Sequence, residues 1–239
     1  MNHVTRRALF GIVFLALGTV LLMESFKHQN FAMQILLGWI SLNFTVVGFA
    51  FVVNWRSVFG KDASGLLGDV NRLTLMPFLL FVDGVRAFQN ACWPTPVSSQ
   101  ILPGFYVGRI CEFTNLPDDI TVVVDLTAEF GTPSSLRSAL RVVCLPTLDS
   151  GTPDWDQCER ALETIDFPHE SVYVCCANGY GRSVTFAAVF LGYNGYCLTP
   201  EEAMRQIKTV RPPASPNADQ MKFIHSAYHQ FANSGLQDG

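Results

Sequence analysis

Residues 172–183 read Val-Tyr-Val-Cys-Cys-Ala-Asn-Gly-Tyr-Gly-Arg-Ser, a short apolar run that passes into a turn with two glycines. β-Branched, aromatic and small apolar residues of this kind favour a buried strand. The apolar stretch that follows, from Val184 to about Tyr193, favours a buried helix. Open α/β sheets bind ligands where the carboxyl end of a strand turns into the next element. The stretch therefore predicts a ligand-binding turn between a strand and a helix.

Three similar apolar runs precede this strand, at 105–109, 121–125 and 141–145. A helix is predicted from Thr152 and Pro153 to about Ile165, and two more begin near Thr199 and Asn217. Strands that alternate with helices indicate an α/β fold with a central, mostly parallel sheet flanked by helices.

The turn after Cys176 has the features of an anion-binding loop. Successive backbone N–H groups that enter a helix form a nest for an anion, and Gly179 and Gly181 let the backbone approach it closely. A thiolate is favoured at such a position and could attack phosphorus. The planar fork of Arg182 matches two phosphate oxygens, and the Ser183 hydroxyl can donate to the sulfur.

The motif Cys-x-x-Gly-x-x-Arg-Ser at 176–183 resembles the signature loop of the protein tyrosine phosphatases, a cysteine-dependent superfamily. Later motifs resemble its dual-specificity branch: Gly-Tyr-Cys-Leu-Thr-Pro-Glu-Glu-Ala at 195–203, Val-Arg-Pro at 210–212 and Ser-Pro-Asn at 215–217. The similarity covers about 101–233. It implies phosphatase activity through a phosphocysteine, with catalytic Cys176, Arg182 and Ser183. It also implies a substrate phosphate surrounded by Ala177, Asn178, Gly179, Tyr180, Gly181 and Arg182.

The resemblance also implies a catalytic aspartate on a separate loop, which protonates the leaving oxygen and then activates water. Asp149 is the best match, because it lies in Leu-Pro-Thr-Leu-Asp-Ser-Gly just past the third predicted strand. Asp154 and Asp156 are alternatives, although both also suit the first turn of a helix. We interpret Asp125, at another strand end, as structural.

Two residues depart from the family pattern. Cys175 occupies the position that usually holds histidine, and it is either a small apolar strand residue, the interpretation we favour, or a resolving thiol. A disulfide between adjacent cysteines is strained. Asn178 stands where dual-specificity members often have alanine, and its amide could bind within the loop or to substrate.

The first 60 residues contain only five charged residues and two uncharged runs, at 8–23 and 31–53. A membrane span needs about 20 apolar residues, so we predict a transmembrane hairpin in 1–60 with spans at about 8–26 and 31–53. A cleaved signal peptide is the alternative for residues 1–23, but no Ala-x-Ala-like site follows them.

The flanks predict the orientation of this hairpin. Its outer segments carry Arg6, Arg7, Arg56 and Lys61, whereas the connector carries only Lys27. Positive residues favour the cytoplasmic side. The seven cysteines are odd in number and fit a reducing compartment. We therefore expect an integral membrane protein whose catalytic domain faces the cytoplasm.

Residues 61–100 form a membrane-associated segment and linker in this interpretation. A helix within 73–93 lies on the membrane surface in the version we favour; a third span or a helix packed on the catalytic domain are the alternatives. Residues 93–100 read as a linker. The phosphatase domain then covers 101–233, and 234–239 form a tail.

The chemistry of this site needs no cofactor, and no Cys-x-x-Cys pair suggests zinc. A net charge of −4 gives no attraction to nucleic acid. The expected partners are the bilayer and a phosphorylated protein or phospholipid. We favour a dual-specificity protein phosphatase for phosphotyrosine and phosphoserine or phosphothreonine. A lipid-phosphate phosphatase, for example for a phosphatidylglycerophosphate-like substrate, and an inactive phosphate-binding membrane adaptor are the alternatives.

Overall fold

The structure is a computed structural model that describes residues 5–92 and 95–234. It divides into two compact units. The first contains the N-terminal helices up to Lys61 and the residues from Leu67 onward to the end of the first described range. The second contains the turn Asp62–Leu66 and all described residues from Thr95 onward. The first two residues of the predicted linker and the tail after Ser234 lie outside the described residues.

The first unit is helical. Its helices are α1 (Arg6–Ser25), α2 (Phe31–Val53), α3 (Asp69–Thr74) and α4 (Met76–Cys92), with a 3-10 turn at Arg56–Phe59. Thr5 caps α1 by accepting from the Ala8 amide, and Asn30 caps α2. Side-chain oxygens at these positions satisfy backbone donors that the first helical turn leaves open. The connector between the two helices consists of residues 26–30.

Small residues lie where α1 and α2 touch. A Cβ atom added to Gly11 would lie 2.7 Å from the Gly48 carbonyl oxygen, and one added to Gly18 would lie 2.5 Å from Thr45 Oγ1. The Ser41 hydroxyl also donates to the Gly18 carbonyl at 2.7 Å. Close contact through small residues, with a hydrogen bond between the helices, is typical of helix pairs in membranes.

The N-terminal end of α4 packs on this pair. Phe78 is 1% exposed, and its ring lies 5.3 Å from the ring of Phe14 and 5.9 Å from that of Phe59. Farther along α4, Leu80 and Phe88 are exposed. Only α1 and α2 are long and apolar enough, among the described helices, to cross a membrane.

The second unit contains one five-stranded sheet in the order β1-β2-β5-β3-β4. The strands are β1 (Ser98–Leu102), β2 (Phe105–Arg109), β3 (Val122–Thr127), β4 (Arg141–Thr147) and β5 (Val172–Cys176). All neighbours are parallel except β1 and β2. The predicted α/β fold with a mostly parallel sheet is confirmed. Sequence analysis missed β1, because Ser-Ser-Gln has no strand pattern and the strand forms only by antiparallel pairing at the sheet edge.

Five helices accompany this sheet: α5 (Ser134–Ala139), α6 (Trp155–Thr164), α7 (Arg182–Tyr193), α8 (Pro200–Val210) and α9 (Ala218–Ser234). Thr199 caps α8 as predicted. Helix α6 starts later than predicted, because the Asp154 carboxylate accepts from the Gln157 amide and takes the capping position expected for Thr152.

Helix α7 lies in the core of this unit, and all its residues from Arg182 to Gly192 are buried. Its Phe190 ring stacks on the Phe105 ring of β2 at 4.4 Å between centroids. Burial of the helix on the sheet holds its N-terminus at the carboxyl end of β5. The turn between them is the signature loop.

Candidate active site

Cys176 is the last residue of β5 and only 4% of it is exposed. The Gly179 amide donates to its Sγ at 3.3 Å, and the Ser183 hydroxyl lies 3.4 Å from the same atom. The loop therefore places the cysteine sulfur beside two hydrogen-bonding groups at the end of the strand.

Glycine is required at position 179. Its φ angle is +76°, a value that residues with a Cβ rarely adopt. A Cβ there would also lie 2.5 Å from the Gly108 carbonyl carbon and 2.4 Å from Arg211 Nη2. The signature loop can thus curl tightly only because this side chain is missing.

Arg182 begins α7 and is 1% exposed. Its Nη1 donates to Glu129 Oε2 at 2.9 Å and to the Thr147 carbonyl at 2.8 Å, and its Nη2 donates to Glu129 Oε1 at 2.7 Å. Burial alone would lower the pKa of this guanidinium, but the carboxylates of Glu129 and Asp149 outweigh burial and raise it. The arginine is therefore fixed as a cation.

One donor of this guanidinium is left open. Arg182 Nε is buried and has no hydrogen-bond partner within the described part of the chain. An unpaired buried donor is costly, by about 1–3 kcal/mol. An oxyanion in the loop would satisfy it, so the site fits a phosphate group.

Sequence reasoning missed Glu129, which lies on the loop between β3 and α5 and is 6% exposed. It forms a fork-to-fork pair with Arg182, the strongest geometry for this ion pair. The sequence did contain a signal: a lone carboxylate in Thr-Ala-Glu-Phe-Gly, directly after an apolar strand. Its partner, however, lies 53 positions away.

The structure brings Asp149 to the signature loop. Its Oδ1 lies 3.2 Å from Arg182 Nη2, and its carboxylate is 56% exposed. The residue follows β4, whose carboxyl end lies at the same edge of the sheet as that of β5. The two aspartates considered as alternatives to Asp149 belong to helix α6: Asp154 caps it and Asp156 lies in its first turn.

Asp125 has the structural place expected for it. It is fully buried, and its carboxylate accepts from the Thr127 amide at 2.8 Å and from the Thr132 hydroxyl at 2.6 Å. Its charge is thus used to shape the loop that carries Glu129.

Cys175 and Cys176 are adjacent, and neither forms a disulfide. Successive residues of a strand point to opposite faces of the sheet. Cys176 belongs to the cluster packed under α7 together with Val174, while Cys175 is fully buried outside that cluster. This placement favours a core residue over a resolving thiol at position 175.

Arg211 lies behind the signature loop and is 2% exposed. Its Nε donates to the Gly179 carbonyl at 2.6 Å and its Nη2 to the Asn178 carbonyl at 3.2 Å. The peptide between these two loop residues is planar, so its N–H points away from its C=O. Arg211 binds that carbonyl, and the N–H is directed at Cys176 Sγ.

Burial lowers the pKa of Arg211 below its ordinary value. Its guanidinium carbon also lies 5.7 Å from the centre of the Tyr180 ring, and the Tyr180 hydroxyl is 3.0 Å from Thr95 Oγ1. Tyr180 therefore packs against the support of the loop. Sequence reasoning quoted Arg211 within a family-like motif but gave it no role.

Comparisons with known proteins agree with this geometry. The family model described as "Swiss Army Knife protein, DSP-PTPase phosphatase domain" matches residues 110–238. No match is found among curated proteins.

Several solved structures share the fold and cover 58% of this chain and 99% of their own chains. They include PTPMT1 in complex with PI(5)P (18% identity, TM-score 0.52) and Tk-PTP in the active form (22%, 0.50). A human tyrosine phosphatase-like serine/threonine/tyrosine-interacting protein also matches (19%, 0.51). The chain belongs to the DSP-PTPase phosphatase domain family of Swiss Army Knife proteins and is a phosphatase of the cysteine-dependent superfamily.

Proposed function

We propose that the chain is a membrane-anchored phosphomonoester phosphatase in which Cys176 forms the phosphocysteine. The open Nε donor of buried Arg182, beside a sulfur that accepts from the loop amide of Gly179, carries this assignment. Both groups are aimed by the same turn. A tetrahedral phosphate that enters the loop would meet a nucleophile on one side and a fixed cation on the other.

In the first step the Cys176 thiolate attacks phosphorus, and the S–P bond forms as the bond to the leaving oxygen breaks. Arg182 and the loop amides hold the other three phosphoryl oxygens, where negative charge is concentrated. Protonated Asp149 gives its proton to the leaving oxygen, so that an alcohol or phenol departs.

In the second step water attacks the phosphocysteine. The Asp149 carboxylate takes a proton from this water, the O–P bond forms, and the S–P bond breaks to release phosphate. The Ser183 hydroxyl, 3.4 Å from Sγ, donates to the sulfur as it regains its charge. Cys176 and Asp149 each return to their starting protonation state, so the enzyme is ready for another turnover.

The favoured substrate class is phosphotyrosine and phosphoserine or phosphothreonine in proteins. Support comes from the signature loop, which contains no lysine and offers a single arginine to one phosphate. A lipid phosphomonoester is the second candidate. One observation favours it: PTPMT1, whose fold is similar, was solved in complex with PI(5)P.

Helices α1 and α2 are proposed as a transmembrane hairpin that keeps both of its ends, and the phosphatase domain, in the cytoplasm. They contain 20 and 23 residues with mean hydropathies of 2.1 and 2.0. Large apolar side chains such as Ile12, Val20 and Phe49 are exposed on them, whereas the contact face carries glycines. Exposure of these large apolar side chains would be unfavourable in water and favourable in lipid.

Helix α4 is proposed to lie on the membrane surface, with exposed Leu80, Phe81 and Phe88 toward lipid and Asp83 and Arg86 paired on the polar side. The phosphatase domain is proposed to cover 101–233, extended at its N-terminal side by β1.

The decisive experiment uses the full chain in detergent under reducing conditions, with p-nitrophenyl phosphate as substrate. Wild type should turn over, and Cys176→Ser should be inactive. A Cys176→Ser variant with wild-type turnover would refute the assignment of Cys176 as the nucleophile.

A comparison of kcat/KM for phosphopeptides and for anionic phospholipids in mixed micelles then distinguishes the two substrate classes. In sealed vesicles, cleavage of the phosphatase domain by a protease added on the outer side would refute the cytoplasmic orientation.

A further inference from the structure

The turn Asp62–Leu66 comes from the N-terminal part of the chain but clusters with the catalytic unit. It is a closed turn, because the Asp62 amide donates to the Leu66 carbonyl at 2.9 Å. The Asp62 carboxylate also accepts from the Ser64 and Leu66 amides, each at 2.9 Å. Its position, some 45 residues before the family match begins, makes a role in the catalytic domain unexpected from sequence.

The turn meets the catalytic unit at Thr132. The Thr132 amide donates to the Gly65 carbonyl at 2.8 Å. Gly65 has a φ angle of +83°, and a Cβ on it would lie 2.1 Å from Thr132 Oγ1 and 2.6 Å from Thr132 Cβ. Such distances are far inside van der Waals contact, so no other residue fits at position 65 without displacing Thr132.

Thr132 ends the loop that carries Glu129. Its hydroxyl donates to Asp125 Oδ2 at 2.6 Å, while the Thr127 amide, at the other end of the loop, donates to Asp125 Oδ1 at 2.8 Å. One fully buried carboxylate therefore joins both ends of the loop. A shift of Thr132 changes the shape of the loop and the position of Glu129 between its ends.

Glu129 in turn sets the guanidinium of Arg182 through two hydrogen bonds of 2.7 and 2.9 Å. We propose that Gly65 is a positioning residue of the phosphatase. In this proposal the turn Asp62–Leu66 supports the Glu129 loop through Thr132 and thereby aims Arg182 at the phosphate. The proposal rests on the proposed role of Arg182 in binding phosphate.

The turn comes next in sequence after α2 and the 3-10 turn at Arg56–Phe59. A displacement of this turn would reach Arg182 through Thr132, Asp125 and Glu129.

The test compares Gly65→Ala with Gly195→Ala in the full chain in detergent. Gly195 is a matched control, because it also has a positive φ, +72°, but a Cβ there would meet nothing within 4 Å. We expect Gly65→Ala to lower kcat/KM for p-nitrophenyl phosphate by about tenfold or more, since a misplacement of about 1 Å can cost about 100-fold. Tungstate, a phosphate mimic, should inhibit it correspondingly less well. Gly195→Ala should stay within about twofold of wild type in both measurements.

A double-mutant cycle separates positioning from general damage. If Gly65 acts through Glu129, adding Gly65→Ala to Glu129→Gln should weaken tungstate binding, measured by calorimetry, by less than about twofold further. Full additivity of the two changes would overturn the proposal. Equal kinetics for Gly65→Ala and Gly195→Ala would also overturn it.

A second pair of variants applies if Gly65→Ala does not fold. Thr132→Val keeps the side-chain shape and the backbone amide but removes the hydroxyl that donates to Asp125, whereas Thr132→Ser keeps that hydroxyl. We expect Thr132→Val to have a lower kcat/KM and a lower tungstate affinity than wild type, and Thr132→Ser to be close to wild type in both. Equal activity of the two variants would contradict the proposal. Wild-type inactivity in the same assay would instead refute the proposed function, so the two failures are distinguishable.

Discussion

Replacing Glu129 with alanine should destabilise the catalytic unit and impair the site together. The change leaves the guanidinium of Arg182, which is 1% exposed, without its fork-shaped partner. Removal of one member of a buried ion pair typically costs about 3–5 kcal/mol, because the remaining charge stays buried without compensation. The Thr147 carbonyl, at 2.8 Å, would be left as its one buried acceptor.

Asp149 offers only partial relief. It lies 3.2 Å from Arg182 Nη2, but its carboxylate is 56% exposed and water screens it. Exposed pairs contribute about 0–1 kcal/mol. We therefore expect Glu129→Ala to lower the free energy of unfolding by about 3 kcal/mol. Glu129→Gln, which keeps one acceptor oxygen, should cost about 1–3 kcal/mol.

The assay is urea denaturation of the full chain in detergent, followed by tryptophan fluorescence and by residual phosphatase activity. Activity in the absence of urea should also fall, by about 100-fold in kcat/KM, because the arginine loses its fixed position. Tungstate should also bind more weakly, since Arg182 is the proposed oxyanion-binding residue.

Glu170→Ala is the matched control. Glu170 also forms a two-bond pair, with Arg141, but this pair is 27% and 40% exposed and lies away from the signature loop. Its loss should cost less than about 1 kcal/mol and leave the kinetics unchanged. If Glu129→Ala were no more destabilising than Glu170→Ala, burial would not govern the strength of the pair and the reasoning would be wrong.

Variants of Asp149, Arg211 and Cys158 test other parts of the catalytic unit. Asp149→Asn should slow hydrolysis of alkyl phosphates by about 100-fold or more, and of p-nitrophenyl phosphate much less, because a good leaving group needs no proton; Asp154→Asn should do neither, and the opposite result would exchange their roles. Arg211→Met should raise the inhibition constant of tungstate by about tenfold, because the loop amides lose their alignment; an unchanged constant would show that the loop holds itself. Burial raises the pKa of the Cys158 thiol from 9.0 to about 12, so the unfolded chain loses this proton first as pH rises. Stability should be constant with respect to this group below about pH 9 and fall by up to about 4 kcal/mol toward pH 12; urea midpoints across this range should show a shallower decline in Cys158→Ala.

The placement of Cys176 and Arg182 on a strand-to-helix turn could be predicted from sequence because it is local. Cys176 and Arg182 are six positions apart, so one turn of backbone fixes their relation. The residue types in this turn indicate its chemistry without knowledge of any other segment. The parallel sheet was predictable for a similar reason, since each buried strand is a continuous apolar run.

The supports of the site could not be predicted in this way. Glu129, Arg211 and Gly65 act on residues 53, 32 and 67 positions away. Nothing in the local sequence of a glutamate or a glycine says which loop it will meet. Strand β1 could not be predicted for the same reason, because polar Ser98 and Ser99 form a strand only through their pairing with β2.

The donors of Arg182 explain why the proposed acid can serve the reaction. A guanidinium has five N–H groups. Nη1 uses two, on Glu129 and Thr147, and Nη2 uses one, on Glu129, while the Asp149 carboxylate is an ion-pair partner 3.2 Å from Nη2. Nε is open. A phosphate bound through two donors on one edge of the fork would use Nε and Nη2, the atom beside which Asp149 lies.

Substrate and the Asp149 carboxylate would therefore meet at Nη2. In the proposed mechanism the arriving phosphate displaces the Asp149 carboxylate from Nη2. The displaced residue would then lie next to the leaving oxygen, as the proposed first step requires. Glu129 keeps its two bonds throughout, because it holds the other edge of the guanidinium, and this division explains why one acid is buried and the other exposed.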